Sequence, residues 1–209
     1  DTATLVYLAN YGCITPHIWL STIHHITKAD RLIFDLDPPE NKELDVAALK
    51  HTAYALKDIL EGCNLTPFIM TTGSRGFHIV TPIKPEYGFD PARAFAERVA
   101  DVLTTRYPEQ LTTAIRKANR EGRIFIDINR IAYAQTGAAP YAVRAKAGAP
   151  IATPLAWHEL ERSDLHPQSY TIDNIFRRLG QIEDPWKNMH KQEASLTDAQ
   201  EYIDQIENA

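Results

Sequence analysis

Cysteine is scarce in this sequence. The two present, Cys13 and Cys63, cannot make a disulfide framework and do not by themselves make a metal site. They read as small core residues in a reducing compartment. No apolar run is long enough to span a bilayer and no signal peptide is evident, so a cytoplasmic protein without membrane contact is expected. Positive charge is not in excess either: 22 Lys and Arg stand against 27 Asp and Glu, a net charge of −5. That excludes nucleic-acid binding through bulk charge and leaves only a local basic patch. Internal repeats and low-complexity tracts are missing. The chain opens on Asp1 rather than Met, so a longer parent protein is expected. What remains is 209 residues with ordinary apolar content (44%), enough for one large domain with its own core.

Thr4 to Asn10 is a short apolar segment closed by Gly12, and Ile18 to Leu20 reads as a strand or buried loop. Leu32 to Asp35 is a strand that Pro38 and Pro39 cannot continue. Leu44 to Leu60 has helical apolar spacing, with Gly62 where a C-cap belongs. Phe68–Met70 and His78–Val80 read as strands joined by a Gly-Ser-Arg-Gly turn. Pro91 to Tyr107 reads as a second amphipathic helix. Ile124 to Asp127 is another apolar run closed by an acid. Thr136 to Pro154 is Gly, Ala and Pro-rich and reads as loop, with one strand around Tyr141–Arg144. Ser195 to Glu207 reads as a helix with a capping-box start. Strands and helices mixed in this order predict an α/β or α+β domain around a sheet.

Asp35 and Asp37 carry the first chemical signal. Residues two apart on a strand point to the same side, so both carboxylates leave one strand end together. That is costly unless a cation lies between them, and a divalent ion with oxygen ligands is the usual answer. Asp127 ends its own apolar run and is a candidate third ligand. Its plainer reading is an acid capping the next turn. Three carboxylates suit phosphoryl transfer, in which paired divalent ions activate a hydroxyl and stabilise a departing pyrophosphate. The turn Thr72-Gly-Ser-Arg-Gly-Phe-His78 offers backbone N–H groups to a triphosphate. His78 could donate to a phosphate oxygen, or be a satisfied strand histidine. Arg75, Arg116, Lys117, Arg120, Arg123, Arg130, Arg144 and Lys146 supply local positive charge, although any one, Lys117 above all, reads equally as a solvated cation.

Several ordered segments carry a family resemblance: Leu8 to Trp19, Phe34-Asp-Leu-Asp-Pro38, Gly73-Ser-Arg-Gly-Phe-His78, Arg116-Lys-Ala-Asn-Arg120 and Arg123-Ile-Phe-Ile-Asp127. Ala139-Pro-Tyr-Ala-Val-Arg144, Thr153-Pro-Leu-Ala-Trp157 and Asp184-Pro-Trp186 follow. The chain resembles the polymerase domain of bacterial and archaeal DNA ligase D, a branch of the archaeo-eukaryotic primase superfamily. The resemblance implies an α+β fold, with a mixed or antiparallel sheet, flanking helices and an RRM-like catalytic core. It implies a single primase-polymerase domain over 1–209, without the family's usual N-terminal segment. It further implies a template-dependent nucleotidyltransferase of non-homologous end joining that uses two divalent ions (Mn²⁺ or Mg²⁺). The substrates implied are NTP or dNTP and gapped or broken DNA. A fused or associated ligase and an end-binding protein are the implied partners. By position, Asp35, Asp37 and Asp127 would hold the metals, and His17, Thr72, Ser74, His78, Arg120, Arg130, Arg144 and Lys146 would bind the nucleotide. Thr72 stands where the family usually has Ser, and Lys146 where it often has Arg.

Two rival readings follow from the residues. A haloacid-dehalogenase-like phosphatase also places D-x-D after an apolar strand, but it needs a lysine and an acidic pair near the end of its sheet. Here the late acids Glu159, Glu161, Asp164, Glu183 and Asp184 follow no apolar strand. A non-catalytic DNA-end-binding module would keep three costly acids without use.

Overall fold

The computed structural model of the chain describes residues 1–40 and 43–207. A six-stranded sheet forms its centre. Strand β2 (Arg31–Asp37) is flanked, both antiparallel, by β4 (Phe77–Pro82) and β6 (Ile124–Asp127). Past β4 come β3 (Phe68–Thr71) and then β8 (Pro154–Leu155), and β5 (Leu111–Thr112) runs parallel to β6 at the other edge. Helices α2 (Val46–Gly62) and α3 (Phe89–Arg106) pack against β2, and α5 (Leu196–Glu207) lies on α3. A separate ribbon pairs β1 (His17–Trp19) with β7 (Thr136–Ala138). Two shorter helices are α1 (Thr2–Asn10) and α4 (Ile175–Leu179). This is the expected α+β architecture with a mixed sheet.

Alternation along β2 creates the two faces that matter. Leu32, Phe34 and Leu36 are fully buried. They share one face of the strand, and the helices present Leu49, Ala53, Leu56 and Leu60 from α2, and Phe95, Val99 and Leu103 from α3, to the same core. Burying each large side chain contributes about 1.5–3 kcal/mol. Ile33, Asp35 and Asp37 point the other way. Asp45 caps α2 by accepting the Ala48 N–H at 2.8 Å, a contact worth about 1 kcal/mol. Pro91 lies in the first turn of α3, where no helical hydrogen bond is lost.

Two expectations needed correction. Gly62 is the last residue of α2 rather than its cap, and Asn64 takes the left-handed conformation (φ 57°) instead. The glycine makes room for packing, because a Cβ there would lie 2.4 Å from the Tyr202 ring of α5 and the ring would have to shift. No regular strand forms at Tyr141–Arg144. Tyr141 has φ 64°, which breaks extended backbone, and only an isolated Val143–Ile151 bridge remains. The strand of that stretch is β7. At α5, Ser195 Oγ accepts the Thr197 N–H at 3.3 Å and donates to Glu86 Oε2 at 2.6 Å, so it serves both as a cap and as a tether to a loop. No helix among the described residues is long and apolar enough to cross a membrane.

Candidate active site

The carboxylates meet at one end of the central sheet. Asp35 is the cross-strand partner of Asp127 on β6 and of His78 on β4, so all three side chains rise from the same face. Asp37 lies one step further along β2, opposite Phe125. His78 is buried, with Nε2 3.4 Å from Asp35 Oδ2. Burial first, and then the charges of Asp35 and Asp127, push the Asp37 carboxyl from its ordinary 3.8 up to about 7, while Arg120 and His78 pull it down. Asp127 also caps the turn after β6, because its Oδ1 accepts the Asn129 N–H at 2.8 Å.

The turn between β3 and β4 closes around Thr72. Its Oγ1 donates to the Gly76 carbonyl at 3.0 Å and accepts the Ser74 and Gly76 N–H groups at 3.1 and 3.2 Å. The Thr72 hydroxyl therefore organises the turn. Two glycines make the shape possible. A Cβ on Gly76 would sit 1.9 Å from the Leu36 carbonyl oxygen. Gly73 has φ 61°, and its Cβ would meet Arg144 Cγ at 2.7 Å. Arg144 reaches over this gap, and its Nη1 donates to the Thr72 carbonyl at 2.5 Å.

The β1–β7 ribbon forms the opposite wall. Gly137 lets it lie close to the sheet, since a Cβ there would come within 2.9 Å of Ile33 Cδ1. Between ribbon, turn and strand ends is a cavity of about 430 Å³ bordered by His17, Asp35, Asp37, Thr72, Ser74, His78, Arg130 and Arg144. Ile33 and Thr136–Ala138 complete its lining. The sequence reading missed these apolar and small residues, and Gly137 within a Gly-rich stretch was their only signal. A larger groove of about 820 Å³ runs past Phe68, His158 and Asp184, but it contains none of this constellation.

Asp127, although opposite Asp35 on the same sheet face, does not border the cavity, and neither do Arg120 and Lys146. The Arg120 guanidinium stacks 3.7 Å from the centre of the Phe125 ring and donates to the Ala114 and Ile115 carbonyls, each at 3.1 Å. It reaches the site only through its field on Asp37. Lys146 is exposed on the loop after Arg144. Of the remaining basic residues, Arg123 donates to the Arg120, Pro108 and Asn119 carbonyls, and Lys117 pairs with Glu40 at 2.6 Å.

Among the described residues, no three acidic, His or Cys side chains are drawn together tightly enough to enclose a cation as they stand. The donor set nevertheless fits a hard divalent ion. Asp35 Oδ1 is buried without a hydrogen-bond partner, and Asp37 is protonated at an unusually high pH because burial and the neighbouring carboxylates outweigh Arg120 and His78. Asp35, Asp37 and Asp127 are the residues able to hold such an ion. Four of the five late acids are occupied elsewhere: Glu159 with Arg178, Asp164 with Arg162, Glu183 with Lys187, and Asp184 with the Tyr141 hydroxyl. None of them borders the Asp35 cavity.

The chain is 30% identical over 180 residues to the bifunctional non-homologous end joining protein LigD of Bacillus subtilis, covering 86% of this chain and 29% of that protein. It is 29% identical over 188 residues to the multifunctional LigD of Pseudomonas aeruginosa, covering 87% and 22% respectively. The chain thus spans less than a third of the length of these relatives. Among solved structures it is similar to the polymerase domain of Mycobacterium tuberculosis Ligase D in complex with DNA, with a TM-score of 0.83 and 27% identity. That match covers 92% of this chain and 69% of the solved one. The family model for the LigD primase-polymerase domain matches residues 1–186, and the chain belongs to that family.

Proposed function

We propose that this domain is a template-dependent nucleotidyltransferase that extends a primer 3′-hydroxyl at gapped or broken DNA during non-homologous end joining. The observation that carries the reading is the convergence of Asp35, Asp37 and Asp127 on one sheet face, beside a cavity walled by a glycine turn and two arginines. Family membership supports the same reaction class.

Asp35, Asp37 and Asp127 would hold two divalent ions, Mn²⁺ or Mg²⁺. When bound, such ions lower the pKa of an attacking hydroxyl and neutralise charge on a leaving pyrophosphate. The chain's own residues do the positioning. His78 orients Asp35, and Ser74, on the turn that Thr72 organises, faces a triphosphate from the cavity wall. Arg130 and Arg144 offer paired donors to phosphate oxygens, and His17 meets the nucleotide sugar from the ribbon. Lys146 extends this positive edge toward the phosphates, and Arg120 tunes Asp37. Catalysis by such a site is mostly orientation and electrostatics. The substrates are an NTP or dNTP and primer–template DNA. The domain works in the cytoplasm, at the nucleoid, with a ligase activity and an end-binding protein.

Primer extension on gapped DNA, with each nucleotide set and with Mn²⁺ or Mg²⁺, tests the reading. Asp127→Ala is expected to lower extension by about 100-fold or more. Undiminished extension by folded Asp127→Ala protein sinks it. A band shift on the same DNA separates a pure binding module from an enzyme. A phosphatase assay with Mg²⁺ is expected to give no turnover.

A further inference from the structure

The two oxygens of Asp127 are treated differently. Oδ1 accepts both the backbone N–H of Asn129 at 2.8 Å and its side-chain Nδ2 at 2.6 Å. Among the described residues, nothing donates to Oδ2. Asn129 is itself held, because its Oδ1 accepts from Arg93 Nη2 at 3.1 Å. Arg93 belongs to α3, and its Nε donates to Glu97 Oε1 at 3.0 Å on the same helix. A continuous chain of contacts therefore runs from α3 through the loop after β6 to the strand-end carboxylate.

We propose that Asn129 is a positioning residue for Asp127, and that Arg93 sets which way the Asn129 amide faces. This rests on the reading of Asp127 as a metal ligand. A side-chain amide has one acceptor end and one donor end, and either could face a carboxylate. Arg has donors only, so its contact claims the amide oxygen and turns the NH₂ toward Asp127. With Oδ1 gripped twice, the carboxylate plane is fixed and Oδ2 is the oxygen left for a cation shared with Asp35 and Asp37. The backbone N–H alone would cap the turn without fixing that plane. Groups behind a metal ligand commonly tune affinity by restricting its rotation.

Mn²⁺ binding to the metal-free protein, read by electron paramagnetic resonance without DNA or nucleotide, tests the proposal. Asn129→Leu keeps the backbone contact and loses the amide. It is expected to weaken Mn²⁺ binding about 10-fold. Arg93→Ala is expected to weaken it by about 3-fold, and the double variant no more than Asn129→Leu alone, because both act through one chain. Arg93→Lys, which keeps a donor, stays near wild type, as does Arg98→Ala on the far side of α3. Thermal unfolding in chelator establishes that each variant is folded, and Asn129→Ala replaces Asn129→Leu if the latter is not. A purely structural Asn129 would lower the melting temperature and leave Mn²⁺ affinity unchanged. Unchanged or tighter Mn²⁺ binding by folded Asn129→Leu, with Asp127→Ala losing it, overturns the proposal. Additive losses overturn the role of Arg93. If Asp127→Ala itself binds Mn²⁺ normally, the metal-site reading fails and takes this inference with it.

Discussion

Asp35 and Asp127 stand directly opposite each other across the β2–β6 ladder. Like charges in that arrangement oppose sheet pairing, so the fold tolerates a local electrostatic cost where a binding site needs acids on one face. The compensation lies behind them, in the fully buried Leu32, Phe34 and Leu36 on the other face of β2.

Asp37 should reveal that cost through pH. Its carboxyl is raised from 3.8 to about 7, chiefly by burial and then by Asp35 and Asp127. Between those values the folded protein holds a proton that the unfolded chain has lost. Its contribution is therefore complete below the unfolded value and disappears as pH rises through the folded one. In chelator, Asp37→Asn is expected to be more stable than wild type at pH 8, by on the order of 1 kcal/mol after solvent screening. At pH 4 the two should coincide. A pH-independent difference in urea midpoints would contradict the assignment. Millimolar Mn²⁺ should stabilise the wild type and not the variant.

Gly76 makes a second prediction. Because its Cβ position lies against the Leu36 carbonyl, substitution must move β2 or open the Thr72 turn. Gly76→Ala is expected to cost about 3 kcal/mol or more, the upper end for single substitutions. Gly148→Ala is the control, with φ 77° but open space around it. It should cost about 1 kcal/mol. Equal melting temperatures for the two variants would show that the Leu36 contact does not constrain Gly76.

Much of the site was legible because period-two alternation is a strong local signal. The Asp35, Asp37, His78 and Asp127 placements follow from strands whose apolar residues announce them. The β1–β7 ribbon was harder to read. Its strands are three residues each and are separated by over a hundred positions, and β7 has a glycine at its centre. The Arg93–Asn129–Asp127 contacts leave no periodic trace at all, since they join a helix to a loop 36 residues away. Family position makes Arg120 a nucleotide ligand, and sequence order alone carries no sign that its guanidinium packs on Phe125 and donates to two carbonyls. Gly62 shows the same limit. Its spacing suggests a cap, whereas its place in the fold is beside a tertiary neighbour, the Tyr202 ring.

Cysteine reactivity offers a direct check on the core. Burial raises the Cys63 thiol to about 12, whereas Cys13 is exposed. The thiolate is the reactive form, so at pH 8 only Cys13 should be modified in the native protein. Thiol titration is expected to count one group natively and two in denaturant. Two fast-reacting thiols in the native state would mean that the α2 terminus does not close as described.

The edge of the sheet depends on a buried ion pair. Arg178 on α4 is clamped to the Glu159 carboxylate, with Nη2 to Oε2 at 2.7 Å, and also holds the Pro154 carbonyl of β8 at 2.9 Å. Its guanidinium lies over the Tyr170 ring at 4.4 Å. Burial works against the charge on Glu159, but the Arg178 and Ala156 hydrogen bonds override it and hold its carboxyl below the usual range. That stabilisation is present above the unfolded value and is lost as pH falls through the lowered one. Removing one partner strands a buried charge, so Arg178→Ala is expected to cost about 3–5 kcal/mol in urea denaturation at pH 7. The double variant Glu159→Leu/Arg178→Met leaves no charge unpaired and should be more stable than either single change. A double variant no better than Arg178→Ala would mean that the Pro154 and Tyr170 contacts, rather than the ion pair, anchor β8.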